Sequence, residues 1–182
     1  MSEFSDVIEV IPIYKIAIVM GSDSDLKILK PAIDILKEFG IDPEVSILSA
    51  HRTPVEMMEY AKNAESNNIK VIIAGAGGAA HLPGMLAALT WIPIIGVPVE
   101  SKTLKGIDSL LSIVQMPAGI PVATVAINGA QNAGLLAMQI ISTFDDNLRK
   151  KVKEYREKLH QKVREKNKKL SSIGADNFLN NQ

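Results

Sequence analysis

The chain has 182 residues, room for one domain with a sizeable core and an appendage. It is 47% hydrophobic and 22% charged but only 4% aromatic, so Ile, Val, Leu, Ala and Met must fill the core. With no cysteine, disulfides, thiolate chemistry and cysteine-based metal sites are excluded.

Residues 1–13 carry Glu3, Asp6 and Glu9 and no basic segment ahead of an apolar run, unlike a signal peptide. No apolar stretch is long enough for a membrane span, so a cytoplasmic protein without membrane partners is expected. The zero net charge conceals a split: residues 145–170 hold eleven Lys/Arg against five Asp/Glu, leaving the rest acidic. That basic stretch contains Glu154, Glu157 and Glu165, and its one aromatic, Tyr155, falls on an apolar stripe. It reads as a solvated helix and not as a nucleic-acid contact.

Apolar runs alternate with amphipathic segments. The first strand is expected over Tyr14–Met20, and Leu29, Ala32, Ile33 and Leu36 continue at helical spacing to Gly40. Pro31 predicts a kink or a late start of that helix. A second strand over Glu44–Leu48 leads into a helix for which Thr53 is the expected cap, Pro54 the first residue and Glu56 the partner in a capping box. The third strand, Lys70–Ala74, runs into Gly75-Ala76-Gly77-Gly78-Ala79-Ala80-His81, then a small-residue helix through Leu86 and Leu89.

A fourth strand is expected over Pro93–Val97, a helix before Pro117, a fifth strand over Val122–Ile127 and a helix over Ala130–Ser142. Five such units predict an α/β fold: a flavodoxin-like, doubly wound parallel sheet of order 2-1-3-4-5. The predicted organisation is an N-terminal extension (1–13), a catalytic domain (14–144), an extended C-terminal oligomerisation helix (145–170) and a flexible tail (171–182). Leu148, Val152, Tyr155, Leu159 and Val163 form one apolar stripe on that helix, which calls for a neighbouring subunit.

In this strand order the turns after the first three strands are neighbours at the ligand-binding edge. The first, Gly21-Ser22-Asp23-Ser24-Asp25, suits an anion or sugar hydroxyls, although Asp23 or Ser24 could equally cap the next helix. The second carries His51 beside Arg52, the only arginine before Arg149. A guanidinium fork matches a phosphate, and a histidine can give and take a proton near neutral pH. A surface ion pair of Arg52 with Glu56 is the bland alternative.

The third turn, Gly75 to Ala80, offers unobstructed backbone N–H groups to a carboxylate or planar ring. Its Gly75-x-Gly77-x-x-Ala80 spacing resembles a dinucleotide fingerprint but comes after the wrong strand. His81 either faces the site or caps the turn at Leu82. No metal-ligand spacing, P-loop or nucleophile elbow is present, so the chemistry rests on a histidine, fixed dipoles and positioning.

These residues lie in a chain that resembles the class I N5-carboxyaminoimidazole ribonucleotide mutases of purine biosynthesis. The resemblance covers about residues 15–142. It rests on Met20-Gly21-Ser22-Asp23-Ser24-Asp25, on Ser49 to Pro54, on Ala74 to Met85, on Gly96-Val97-Pro98-Val99, on Gln115-Met116-Pro117 with Gly119 and Pro121 to Thr124, and on Asn132 to Ala137. The segment Ile127 to Asn132 is shorter than the Gly-Ala-Gly-rich version of some members.

The resemblance implies an isomerase that moves a carboxylate from the exocyclic nitrogen of an aminoimidazole ribonucleotide to a ring carbon, with no cofactor, metal or ATP. His51 would be the general acid/base. Ser22, Ser24, Asp25, Ser49 and Arg52 would hold the ribose phosphate. Gly75, Ala76, Gly77, Gly78, Ala79, His81 and Leu82 would hold the carboxylate and ring. It also implies a homo-octamer whose C-terminal helix reaches a neighbour, and a functional link to the ATP-dependent synthase that makes the substrate.

The rival within the same chemistry is the class II enzyme, which carboxylates aminoimidazole ribonucleotide directly and carries a Lys-Gly type pair where this chain has Arg52-Thr53. A rival of another kind is a non-enzymatic nucleotide-binding module.

Overall fold

Apolar runs too poor in polar residues to face water become strands covered on both sides. In the computed structural model, which describes residues 14–180, the elements run β1 (Lys15–Met20), a 3-10 turn (Asp23–Asp25), α1 (Leu26–Glu38), β2 (Glu44–Ile47), α2 (Pro54–Asn63), β3 (Ile69–Gly77), α3 (Leu82–Ala87), β4 (Ile94–Val99), α4 (Ile107–Val114), β5 (Ala123–Thr124), α5 (Ala130–Ile141), α6 (Asp146–Ile173) and α7 (Ala175–Asn180). The sheet is parallel throughout in the order β2-β1-β3-β4-β5, as the alternation of segments predicts. All six residues of β4 and the last five of β1 are buried.

The first crossover moves outward from β1 to β2 and the others move the opposite way. Right-handed connections therefore place α1 on one face and α2, α3 and α4 on the other. Glycines at the contacts agree. Gly75 in β3 lies against Leu29 of α1, Gly96 in β4 against Ile113 of α4, and Gly134 lets α5 approach Ala32 and Ile35 of α1. The core on the α2–α4 face is made of Val19, Met57, Ile72, Leu82, Leu86 and Ile113 with many alanines between them.

Several boundaries depart from the sequence expectation. α1 begins at Leu26 and runs through Pro31, with no late start, because the Asp23–Asp25 turn leads straight into it. β3 continues to Gly77, so part of the supposed loop pairs with β4 as far as Gly77 opposite Val99. β5 has only two residues instead of six: after Val125 donates to the Gly96 carbonyl, Asn128 takes a positive φ and Gly129 turns back onto Ala126.

The chain divides into two compact units between Ile140 and Ile141. In the second, Asp145 caps α6 by accepting from the Leu148 N–H at 2.8 Å, and Arg149 donates to the carbonyls of Ser142 and Thr143. α6 spans 28 residues and ends at Gly174, and residues 175–180, expected to be flexible tail, form a short helix. Its stripe is buried at Leu148, half-buried at Val152 and Tyr155, and exposed at Leu159 and Val163. No helix of the described residues is long and apolar enough to cross a membrane. The expected extension, 1–13, lies outside the described residues.

Candidate active site

The C-terminal ends of β1, β2 and β3 bring their turns together in one cleft of about 430 Å³, a volume suited to a small-molecule ligand. Ser22, Ser24, Asp25, Ser49, His51, Arg52, Ala76, Gly77, Gly78, His81 and Leu82 line it. Gly75 and Ala79, expected there too, do not. Gly75 is buried in the sheet, and a Cβ on it would fall 2.8 Å from Leu29, so its small size answers to packing with α1. Ala79 is exposed outside the cleft.

A fourth wall, Val99 to Lys102, continues from β4. The strand order puts β4 beside β3, and that adjacency is the sequence signal for this wall.

In the first turn Ser22 is extended, and its hydroxyl accepts from the Ser24 N–H at 3.4 Å while donating to Asp23 at 3.0 Å. Asp23 also accepts from the Ser24 N–H at 3.0 Å, but neither Asp23 nor Ser24 caps α1: Ser22 caps the 3-10 turn, and Asp25 at the N-cap of α1 makes no side-chain capping bond. Asp25 accepts from the Ser24 hydroxyl at 3.3 Å. Burial pushes the Asp25 carboxyl above its ordinary range, against the opposing hydrogen bonds from Ser24 and Ser22, with Asp23 adding a smaller upward push.

Thr53 stands at the N-cap of α2 as expected, but its side chain closes the second turn instead of capping the helix. Its hydroxyl makes no capping bond and points back to Ser49 instead, accepting from the Ser49 N–H at 2.9 Å and donating to the Ser49 carbonyl at 3.3 Å. The expected capping box is therefore absent, because Thr53 is spent on the turn that presents His51 and Arg52. The buried Ser49 hydroxyl accepts from both the backbone N–H and the Nε of Arg52, at 3.2 and 3.4 Å. Arg52 Nη2 donates to the Gly21 carbonyl at 2.9 Å. The guanidinium thus ties the first turn to the second instead of pairing on the surface with Glu56.

His81 stands at the N-cap of α3, but its side chain makes no capping bond. Its Nδ1 lies 2.6 Å from His51 Nε2, with the rings nearly perpendicular, so the ring faces the cleft. The third turn offers fewer amides than its composition suggests. The Gly78 N–H donates to Ser109 and the Ala80 N–H to the Gly77 carbonyl. Among the described residues no group of three His, Asp or Glu side chains could hold a metal ion.

Comparison with known proteins agrees with this arrangement. A family described as AIR carboxylase matches residues 15–162. The chain belongs to the AIR carboxylase family. The match includes the first half of α6, so the tail is not foreign to AIR carboxylases. A Thermotoga maritima protein named N5-carboxyaminoimidazole ribonucleotide mutase is 60% identical over 91% of this chain and 97% of its own length. A Pyrococcus horikoshii protein of the same name is 56% identical over 90% of this chain and 93% of its own. A Schizosaccharomyces pombe phosphoribosylaminoimidazole carboxylase is 55% identical over 90% of this chain but only 30% of its own length. Among solved structures, Treponema denticola PurE superposes with a TM-score of 0.79 at 33% identity, covering 85% of this chain and 97% of that one.

Proposed function

We propose that this chain is the isomerase of its family: it converts N5-carboxyaminoimidazole ribonucleotide to 4-carboxy-5-aminoimidazole ribonucleotide in purine biosynthesis. The observation that carries the reading is a histidine pair placed beside a single guanidinium in one cleft, in a chain whose near-full-length relatives are named as this mutase.

Arg52 holds the ribose phosphate with the help of Ser22, Ser24 and Asp25, while Ser49 positions the guanidinium. The carboxylate and ring lie against Ala76, Gly77, Gly78, His81 and Leu82. His51 gives a proton to the exocyclic nitrogen as its bond to the carboxylate breaks, and the bond electrons stay on nitrogen. Carbon dioxide is released within the cleft. The ring carbon then attacks it with the enamine electron pair, and His51 takes back the proton displaced from that carbon, restoring the aromatic ring. Atoms and charge balance without cofactor, metal or ATP. Water must be kept from the released carbon dioxide. His51, Arg52 and His81 are exposed in the single chain, so bound substrate and neighbouring subunits supply the cover.

The exposed half of the α6 stripe fits docking on a second copy, and its basic flanks complement the acidic remainder of the chain. A homo-octamer is the proposed assembly and the cytoplasm the proposed location. The enzyme then acts directly after the ATP-dependent synthase that forms its substrate. Replacing His51→Asn tests the function: binding of the N-carboxylated nucleotide should survive while turnover disappears. Unchanged turnover would refute the proton-carrier role of His51, and binding of the nucleotide with no turnover in the wild type would favour a binding module.

A further inference from the structure

Ser109 belongs to none of the cleft motifs, yet it has no exposure to solvent. It stands in the first turn of α4, where a serine hydroxyl commonly bonds within its own helix. Here it leaves the helix. The Oγ donates to the Val99 carbonyl at 2.7 Å and accepts from the Gly78 N–H at 2.9 Å. Backbone pairing between β3 and β4 ends at Gly77 opposite Val99, so this one hydroxyl supplies the next rung.

Beyond that rung the backbone is strained. Gly78 has φ +68°, which a glycine adopts freely, but Ala80 has φ +44°, a left-handed conformation that a residue with a Cβ rarely takes. Such a turn persists only where its surroundings hold it. His81 comes next, and its ring meets His51 at 2.6 Å.

We infer that Ser109 is a positioning residue for the reaction: by pinning Gly78 to the end of β4 it holds the strained turn that sets the His81 ring against His51. This inference rests on the reading of His51 as the proton carrier. It also means that the Gly78 amide is structural and does not bind the substrate carboxylate.

The test compares wild type, Ser109→Ala and Ser109→Thr. Misplacement of a catalytic group by about an ångström costs up to about 100-fold, so Ser109→Ala should lower kcat about 10- to 100-fold, change KM less than about 3-fold and alter the pH profile of kcat. Ser109→Thr, which keeps the hydroxyl, should recover most of kcat. If Ser109→Ala does not fold, Ser109→Cys, similar in size but a poor acceptor, takes its place in the same measurements.

Two readouts need no substrate. The wild-type Gly78 amide should be protected from hydrogen exchange, and the NMR contact between the His51 and His81 rings should be lost in the variant lacking the hydroxyl. A freely exchanging Gly78 amide, or an unchanged kcat and pH profile in a folded variant, would overturn the inference. Absence of mutase turnover in wild type would instead count against the proposed function and leave these two readouts standing.

Discussion

His51 Nε2 and His81 Nδ1 lie 2.6 Å apart, with ring centroids at 4.8 Å and an 80° angle between the planes, although 30 residues separate them in the chain. At that distance one nitrogen must donate and the other accept, so the protonation of one ring is coupled to that of the other. The contact is built by two turns that depend on small side chains elsewhere: Thr53 closing onto Ser49, and Ser109 holding Gly78.

From that contact, His81→Leu should lower kcat about 10- to 100-fold and change its pH dependence, while KM moves little. General acid–base steps contribute about 100- to 10,000-fold, so His51→Asn should cost more than His81→Leu. Steady-state kinetics across pH on both variants checks the order. Equal losses would argue that His81 is itself the proton carrier.

Arg52 donates to the Gly21 carbonyl, and the proposed function gives it the ribose phosphate as well. Arg52→Ala should raise KM about 10- to 100-fold, the equivalent of one or two charge-assisted hydrogen bonds. Arg52→Lys should recover little, since an ammonium cannot keep the fork geometry across two turns. Substrate titration by calorimetry would reveal a lysine variant of native affinity and refute this.

The three turns that line the cleft are legible in the sequence because the apolar runs dictate the strand order, and the order dictates which turns meet. Other features are hidden because they depend on distant neighbours. Gly75 reads as part of a ligand loop, since a glycine-rich string does not announce that Leu29 will lie against it. Thr53 reads as a cap because Pro54 and Glu56 come after it, but its hydroxyl is better satisfied by both backbone groups of Ser49. The two alternatives for His81 differ only in where a ring points, which no spacing within its own segment determines. β5 is short because it lies at the sheet edge, where the chain turns back at Gly129.

Gly75→Ala separates packing from binding. A Cβ there meets Leu29 at 2.8 Å, and overpacking of this kind costs about 1–3 kcal/mol. Denaturant unfolding should show that loss, with KM for the nucleotide near native. A large KM effect at native stability would return Gly75 to the binding set.

Asp25 links stability to pH. Its folded pKa is raised above the ordinary 3.8, chiefly by burial, so its ionised form costs stability at neutral pH. The cost diminishes as pH falls through the raised folded value and vanishes below 3.8, the unfolded value. Asp25→Asn should therefore keep or raise the thermal midpoint at pH 7 and flatten its dependence between neutral and mildly acid pH, while kcat/KM falls. A lower midpoint at pH 7 would contradict the burial argument.

The most direct measurement offers the purified protein N5-carboxyaminoimidazole ribonucleotide and, separately, aminoimidazole ribonucleotide with bicarbonate, both without ATP, and monitors formation of the carbon-carboxylated product. Efficient turnover of the N-carboxylated nucleotide is the expected result, with at most slow reaction of the other. Efficient turnover of only the uncarboxylated nucleotide would contradict the account and make the enzyme a direct carboxylase.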